Sequence, residues 1–90
     1  MKFSLKNSPD GMGNRIDIQV NAEQGEEISS VSTYFDEVSL AEDSLTPPEV
    51  QYERVFRQVG GFTPGQLHTV RVNATNNHGV SQFASRSWQD

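Results

Sequence analysis

Apolar and polar residues alternate with a period of two along most of the chain, which is the spacing of half-buried β-strands rather than of a helix. The clearest run is Ile16, Ile18, Val20 and Ala22, set between Arg15, Asp17, Gln19 and Asn21. His68, Val70, Val72 and Ala74 alternate in the same way with Thr69, Arg71 and Asn73. Val31, Thr33 and Phe35 mark a third run, with Ser30, Ser32 and Tyr34 on its other face. A short first strand is expected at Phe3 and Leu5, closed by turn chemistry at Pro9-Asp10-Gly11. Asp36-Glu37 turns the chain into a short strand around Val38 and Leu40, and "EDSLTPPE" reads as a loop.

The two remaining runs are less regular. Val50, Tyr52 and Phe56 suggest a fifth strand, but Arg54 shares their face. Either Arg54 snorkels at a sheet edge or a bulge shifts the register. The Glu, Gln and Arg content of residues 49–59 also leaves a helix open. The last strand runs from Val80 towards Trp88, and Phe83 breaks its parity, a sign of a bulge. Gly79 suits the left-handed position of a hairpin loop at Asn76-Asn77-His78-Gly79. Seven strands with turns every ten or so residues predict an all-β, seven-stranded antiparallel sandwich, formed by residues 1–90 as a single domain. Ile16, Ile18, Val20, Val31, Phe35, Val70 and Val72 should face between its two sheets.

Composition narrows the function classes. Only 33 % of residues are apolar, and 90 residues bury a small core. The net charge is −5 and the seven Lys and Arg are scattered, so neither nucleic acid nor an anionic membrane surface is an expected partner. No apolar stretch is long enough to enter a bilayer. There is no cysteine, which fits either a cytosolic protein or a surface module that relies on its core. No nucleophile elbow or phosphate loop occurs. Two histidines without cysteines make a poor zinc set. Neither enzymatic activity nor a cofactor is therefore expected.

Several stretches carry a family resemblance. Phe62-Thr63-Pro64-Gly65-Gln66-Leu67-His68-Thr69-Val70-Arg71-Val72-Asn73-Ala74 resembles the approach to strand F of fibronectin type III and bacterial immunoglobulin-like domains. Leu5-Lys6-Asn7-Ser8-Pro9-Asp10-Gly11 is similar to the opening strand and first turn of the bacterial group. Val31-Ser32-Thr33-Tyr34-Phe35-Asp36 is similar to its third strand, and Asn76-Asn77-His78-Gly79 to its F–G turn. Glu37 departs from the usual glycine after Asp36, and Asn76 from a frequent aspartate; both weaken the case for a loop-bound cation. The resemblance implies an immunoglobulin-like or fibronectin type III-like sandwich. It implies a non-catalytic spacer or adhesion segment of a secreted or cell-surface protein, monomeric by itself and partnered by neighbouring domains. A carbohydrate-binding accessory module of a glycan-degrading enzyme is the alternative, with a surface protein or glycan as partner.

The resemblance also places the candidate residues. His68 sits where a corner residue ties the E–F loop to strand F, which an imidazole does by donating a ring N–H to a nearby backbone carbonyl. Tyr34, facing outward, is a candidate for stacking on a ligand or for ordinary cross-strand packing. Trp88 is a candidate for ligand contact, for a lid over the core, or for contact with an adjoining domain. In this architecture the loops holding Glu23, Glu26 and Glu27 and holding Asn76 and Asn77 emerge together. Their oxygens form either a calcium site or a solvated acidic loop.

Overall fold

The computed structural model describes residues 1–90. Its strands are β1 (Lys2–Asp10), β2 (Gly13–Asn21), β3 (Ile28–Phe35), β4 (Val38–Glu49), β5 (Gln51–Val59), β6 (Leu67–Asn76) and β7 (Ser81–Gln89). There is no helix, so residues 51–59 are strand and the helical alternative is excluded. All pairing is antiparallel, in a three-stranded sheet of order β1-β2-β5 and a four-stranded sheet of order β4-β3-β6-β7.

The alternating runs face one another across a single core. Ile16, Ile18, Val20 and Tyr52 come from one sheet; Val31, Phe35, Val70, Val72 and Ala74 come from the other. Ile28 joins them although its parity differs from that of Val31. A register shift between Ile28 and Ser30 turns it inward. That one-residue slip moves a side chain to the opposite face.

Four expectations are decided by the structure: three are corrected, and the choice left open at Arg54 falls to snorkelling. First, β1 does not stop after Leu5 but runs through Pro9 to Asp10. It is an edge strand, where a missing N–H costs no ladder bond. The turn lies one step later, at Gly11-Met12, with Gly11 at φ +60°. Second, "EDSLTPPE" is not a loop: β4 continues through it to Glu49. The same physical reason applies, because β4 is the outer edge of its sheet and Pro47 and Pro48 interrupt no pairing on the free side. Third, no bulge separates Tyr52 from Phe56, since Val20, Ile18 and Ile16 pair in step with Tyr52, Arg54 and Phe56. Arg54 therefore snorkels. Its guanidinium lies 5.0 Å from the Phe56 ring centre and 2.7 Å from Asp43. Asp43, on β4, also accepts a 2.5 Å hydrogen bond from the Tyr52 hydroxyl, which laces the facing edges of the two sheets. Fourth, β7 pairs with β6 without interruption from Ser81 to Gln89. Phe83 is simply exposed on the outer face, while Trp88 turns inward.

The molecule is elongated, with extents of 43 × 19 × 18 Å. Met1 lies at one end, within 3.0 Å of Glu26 in the β2–β3 loop. Asp90 lies at the other, where its backbone pairs with Gly65 and Gln66.

Candidate functional site

The densest cluster of titratable groups centres on His68, at the Asp90 end. Alternation in β6 points its ring inward, and the residue is only 2 % exposed. The ring stacks on Phe35 at a centroid distance of 5.0 Å and meets Trp88 at 5.8 Å, tilted. Nδ1 lies 2.7 Å from Asp36 Oδ2, and Nε2 lies 2.8 Å from Asp90 Oδ2. A neutral imidazole carries one N–H, and a carboxylate can only accept. Two carboxylate partners therefore call for the imidazolium, with both nitrogens donating.

The backbone explains how each aspartate arrives. Asp36 and Glu37 form a two-residue hairpin turn between Phe35 and Val38, at φ +48° and +69°. Positive φ at both central positions is the primed geometry that matches strand twist. Asp36 then grips Thr69 from both sides. Its N–H donates to the Thr69 carbonyl at 2.9 Å, and its Oδ1 accepts the Thr69 N–H at 2.8 Å. Asp90 shares the inward parity of Trp88 at the end of the β7 register. Its Oδ2 also accepts the Thr63 N–H at 3.1 Å. Gly60 is needed above this cluster: a Cβ there would stand 2.9 Å from the Phe35 ring, and its φ is +64°.

Electrostatics follow from these contacts. Burial pushes the His68 imidazole down, but the hydrogen bonds and charges of Asp36 and Asp90 outweigh it, and its pKa is raised. Burial likewise pushes the Asp90 carboxyl up, and the Thr63 N–H and His68 outweigh that, leaving it lowered. Asn14 is buried beside this end and adds to the stabilisation of Asp90, although its amide nitrogen makes no well-formed hydrogen bond. The cluster binds three segments together: the β3–β4 turn, β6 and the residue after β7. With both ring nitrogens engaged, neither is free to take a proton from an incoming group. His68 is thus a clasp, but through two carboxylates rather than through the expected backbone carbonyl.

The opposite end gathers the other polar candidates. The β2–β3 loop and the β6–β7 turn do meet there. Glu27 and Asn77 exchange hydrogen bonds: Asn77 N–H to the Glu27 carbonyl at 2.8 Å, and Glu27 N–H to Asn77 Oδ1 at 2.9 Å. The Asn76 amide donates to Glu26 at 2.9 Å. Asn76 Oδ1 accepts the N–H groups of His78 and Val80. Glu26 also accepts the Glu23 N–H, and with the Met1 ammonium these contacts hold its carboxyl at about 2. The Glu23 carboxylate lies 3.7 Å from the same ammonium. The oxygens of Glu26, Asn76 and Asn77 are therefore already committed to donors within the chain. No three His, Cys, Asp or Glu side chains gather in a metal-holding arrangement.

The aromatic candidates separate. Trp88 packs against Phe35 and His68 as a partial lid, with its indole nitrogen buried and unpartnered. Tyr34 does lie on the outer face, but the Arg71 guanidinium sits 4.7 Å above its ring. The aromatic that stands free is Phe83, 71 % exposed, whose break in the strand parity comes from facing outward and not from a bulge. Comparison with protein-family models, with curated proteins and with solved structures found no match for this chain.

Proposed function

We propose that the chain is a non-catalytic spacer or adhesion module of the immunoglobulin-like and fibronectin type III-like kind, standing in series with neighbouring domains of a secreted or surface protein. The observation that carries this reading is the path of the chain: it enters at one end of a 43 Å axis and leaves at the other. A module strung between two neighbours needs that geometry. The strand order supports the fibronectin type III alternative. β4 pairs with β3, whereas in constant-type immunoglobulin domains the fourth strand lies in the opposite sheet. The His68 clasp fits a module that must hold its exit strand in place, because it locks the residue after β7 to β6 and to the β3–β4 turn.

Single-molecule extension through the two chain ends tests the proposal. Ninety residues at about 3.4 Å each, less the folded length, should release about 260 Å of chain in one cooperative step. Gradual lengthening without a rupture event would contradict a spacer role.

A further inference from the structure

The outer face of the four-stranded sheet carries a shallow depression of about 360 Å³ that no feature of the clasp or of the spacer reading uses. Its floor is built by alternation. Ser30 and Ser32 flank the buried Val31 on β3, and Asn73 and Thr75 flank the buried Ala74 on β6. Ser81, Gln82 and Phe83 complete it from β7, with Gln82 Oε1 accepting a hydrogen bond from the Met1 ammonium at 2.9 Å. The register puts Ser32, Asn73 and Phe83 in one row and Ser30, Thr75 and Ser81 in the next. With strands about 4.8 Å apart, a row spans about 10 Å from Phe83 to Ser32.

We infer that this face binds an uncharged polysaccharide, with Phe83 as the stacking platform. Three observations converge. Phe83 is the most exposed aromatic of the chain and projects from a floor otherwise made of hydroxyls and amides. The C–H face of a sugar ring is apolar and carries partial positive charge, which suits the negative face of an aromatic ring. Second, the hydroxyls lie at hydrogen-bonding spacing. Thr75 and Ser81 are joined at 2.7 Å, while Ser30, Ser32 and the Asn73 amide remain open to a ligand that both donates and accepts. Third, charge selects the ligand class. No ionisable group lines the depression, Glu42 stands across the row beyond Ser32, and the chain carries −5 overall. A neutral polyhydroxyl chain is complementary to that surface; a polyanion is repelled.

The test is affinity gel electrophoresis in laminarin, hydroxyethylcellulose, galactomannan and glycogen, with alginate as the anionic control. At least one neutral polymer should retard the protein. Phe83→Ala should abolish the retardation, and Asn73→Ala should weaken it by about fivefold to tenfold, the loss of one or two hydrogen bonds. Phe62→Ala, at the clasp end, should leave it unchanged. Phe83 is exposed, so its alanine variant should melt as the parent does, which separates lost binding from lost folding. Retardation by none of the neutral polymers, retardation that survives Phe83→Ala, or retardation by alginate alone would each overturn the assignment. So would sedimentation showing that Phe83 instead joins two copies of the chain.

Discussion

The two ends of this molecule are closed by the same chemical device in opposite surroundings. At each end a carboxylate from one loop reaches a group on a distant strand. At the His68 end the carboxylates hold a ring cation that is 2 % exposed and lies between Phe35 and Trp88. At the Glu26 end the carboxylate holds an amide and a backbone N–H at the rim of two turns. His68 and Asp90 are sealed from water, at 3 % and 1 % side-chain exposure, with only Asp36 reaching the surface. Glu26 is partly sheltered, at 15 %, and its partners lie in two surface turns. Coulomb attraction weakens as the effective dielectric rises, and exposed pairs are screened by salt. The comparison teaches that the count of ionic contacts says little about what holds an end closed; burial decides it.

The largest expected effect lies at the buried end. His68→Ala leaves Asp36 and Asp90 facing an emptied apolar pocket, and should destabilise the domain by about 3 kcal/mol. For a chain of this size that lowers the melting midpoint by about 15 °C. His68→Tyr should recover only part of the loss, because one hydroxyl cannot donate to two carboxylates. Equal midpoints for His68→Ala and the parent would remove the asymmetry between the ends.

A smaller effect of opposite sign is expected at the rim of the same end. Glu37 holds φ +69° without being glycine, and its pairing with Arg71 is loose at 3.4 Å and exposed. A left-handed conformation costs a residue with a Cβ about 1–2 kcal/mol. Glycine gives part of that back through its freer unfolded chain. Glu37→Gly should therefore stabilise the domain by about 0.5–1 kcal/mol in urea unfolding. A loss of stability would mean that the Arg71 contact outweighs the backbone strain.

The smallest effect is expected at the open end. Glu26→Gln keeps the shape of the side chain and removes its charge. It should lower the midpoint by less than His68→Ala does, and raising the salt concentration should shrink the part owed to the Met1 ammonium. A large, salt-independent loss would place a second fully buried clasp where the structure has a partly buried one.

The sequence showed most of the fold where a strand has one wet face and one dry face. In β2, β3 and β6 the alternation of Ile16, Ile18 and Val20, of Val31 and Phe35, and of Val70 and Val72 is the burial pattern itself. Edges were harder to read. β4 beyond Leu40 has no fully buried position, so the signal that marks a strand is absent although the ladder persists. Ile28 was hidden by the local register shift, and Phe83 was misread because outward-facing aromatics are unusual enough to suggest a bulge. Of the clasp, His68 was legible and its partners were not. Asp36 and Asp90 stand 32 and 22 residues away, and no local period reports a pairing across the sandwich-like core. The available clue was parity: Asp90 falls on the inward side with Trp88, and Asp36 falls opposite Thr69 once β3 and β6 are in register.

The central claim is that two carboxylates close one end by holding His68 as an imidazolium. A group whose folded pKa is raised contributes all of its stability below its unfolded value, near 6.5, and loses it as pH rises through the folded value. Asp90 and Glu26, both lowered, contribute above the ordinary carboxylate range and lose that contribution as pH falls. Stability should therefore peak between about pH 5 and 6.5 and decline on the alkaline side as the His68 proton leaves. The most direct measurement is long-range ¹H–¹⁵N NMR of the His68 ring through that interval. Both Nδ1 and Nε2 should remain protonated past pH 6.5, and the ring should lose its proton only as stability falls. A single neutral tautomer already present at pH 6, with stability flat from 6 to 8, would contradict the account.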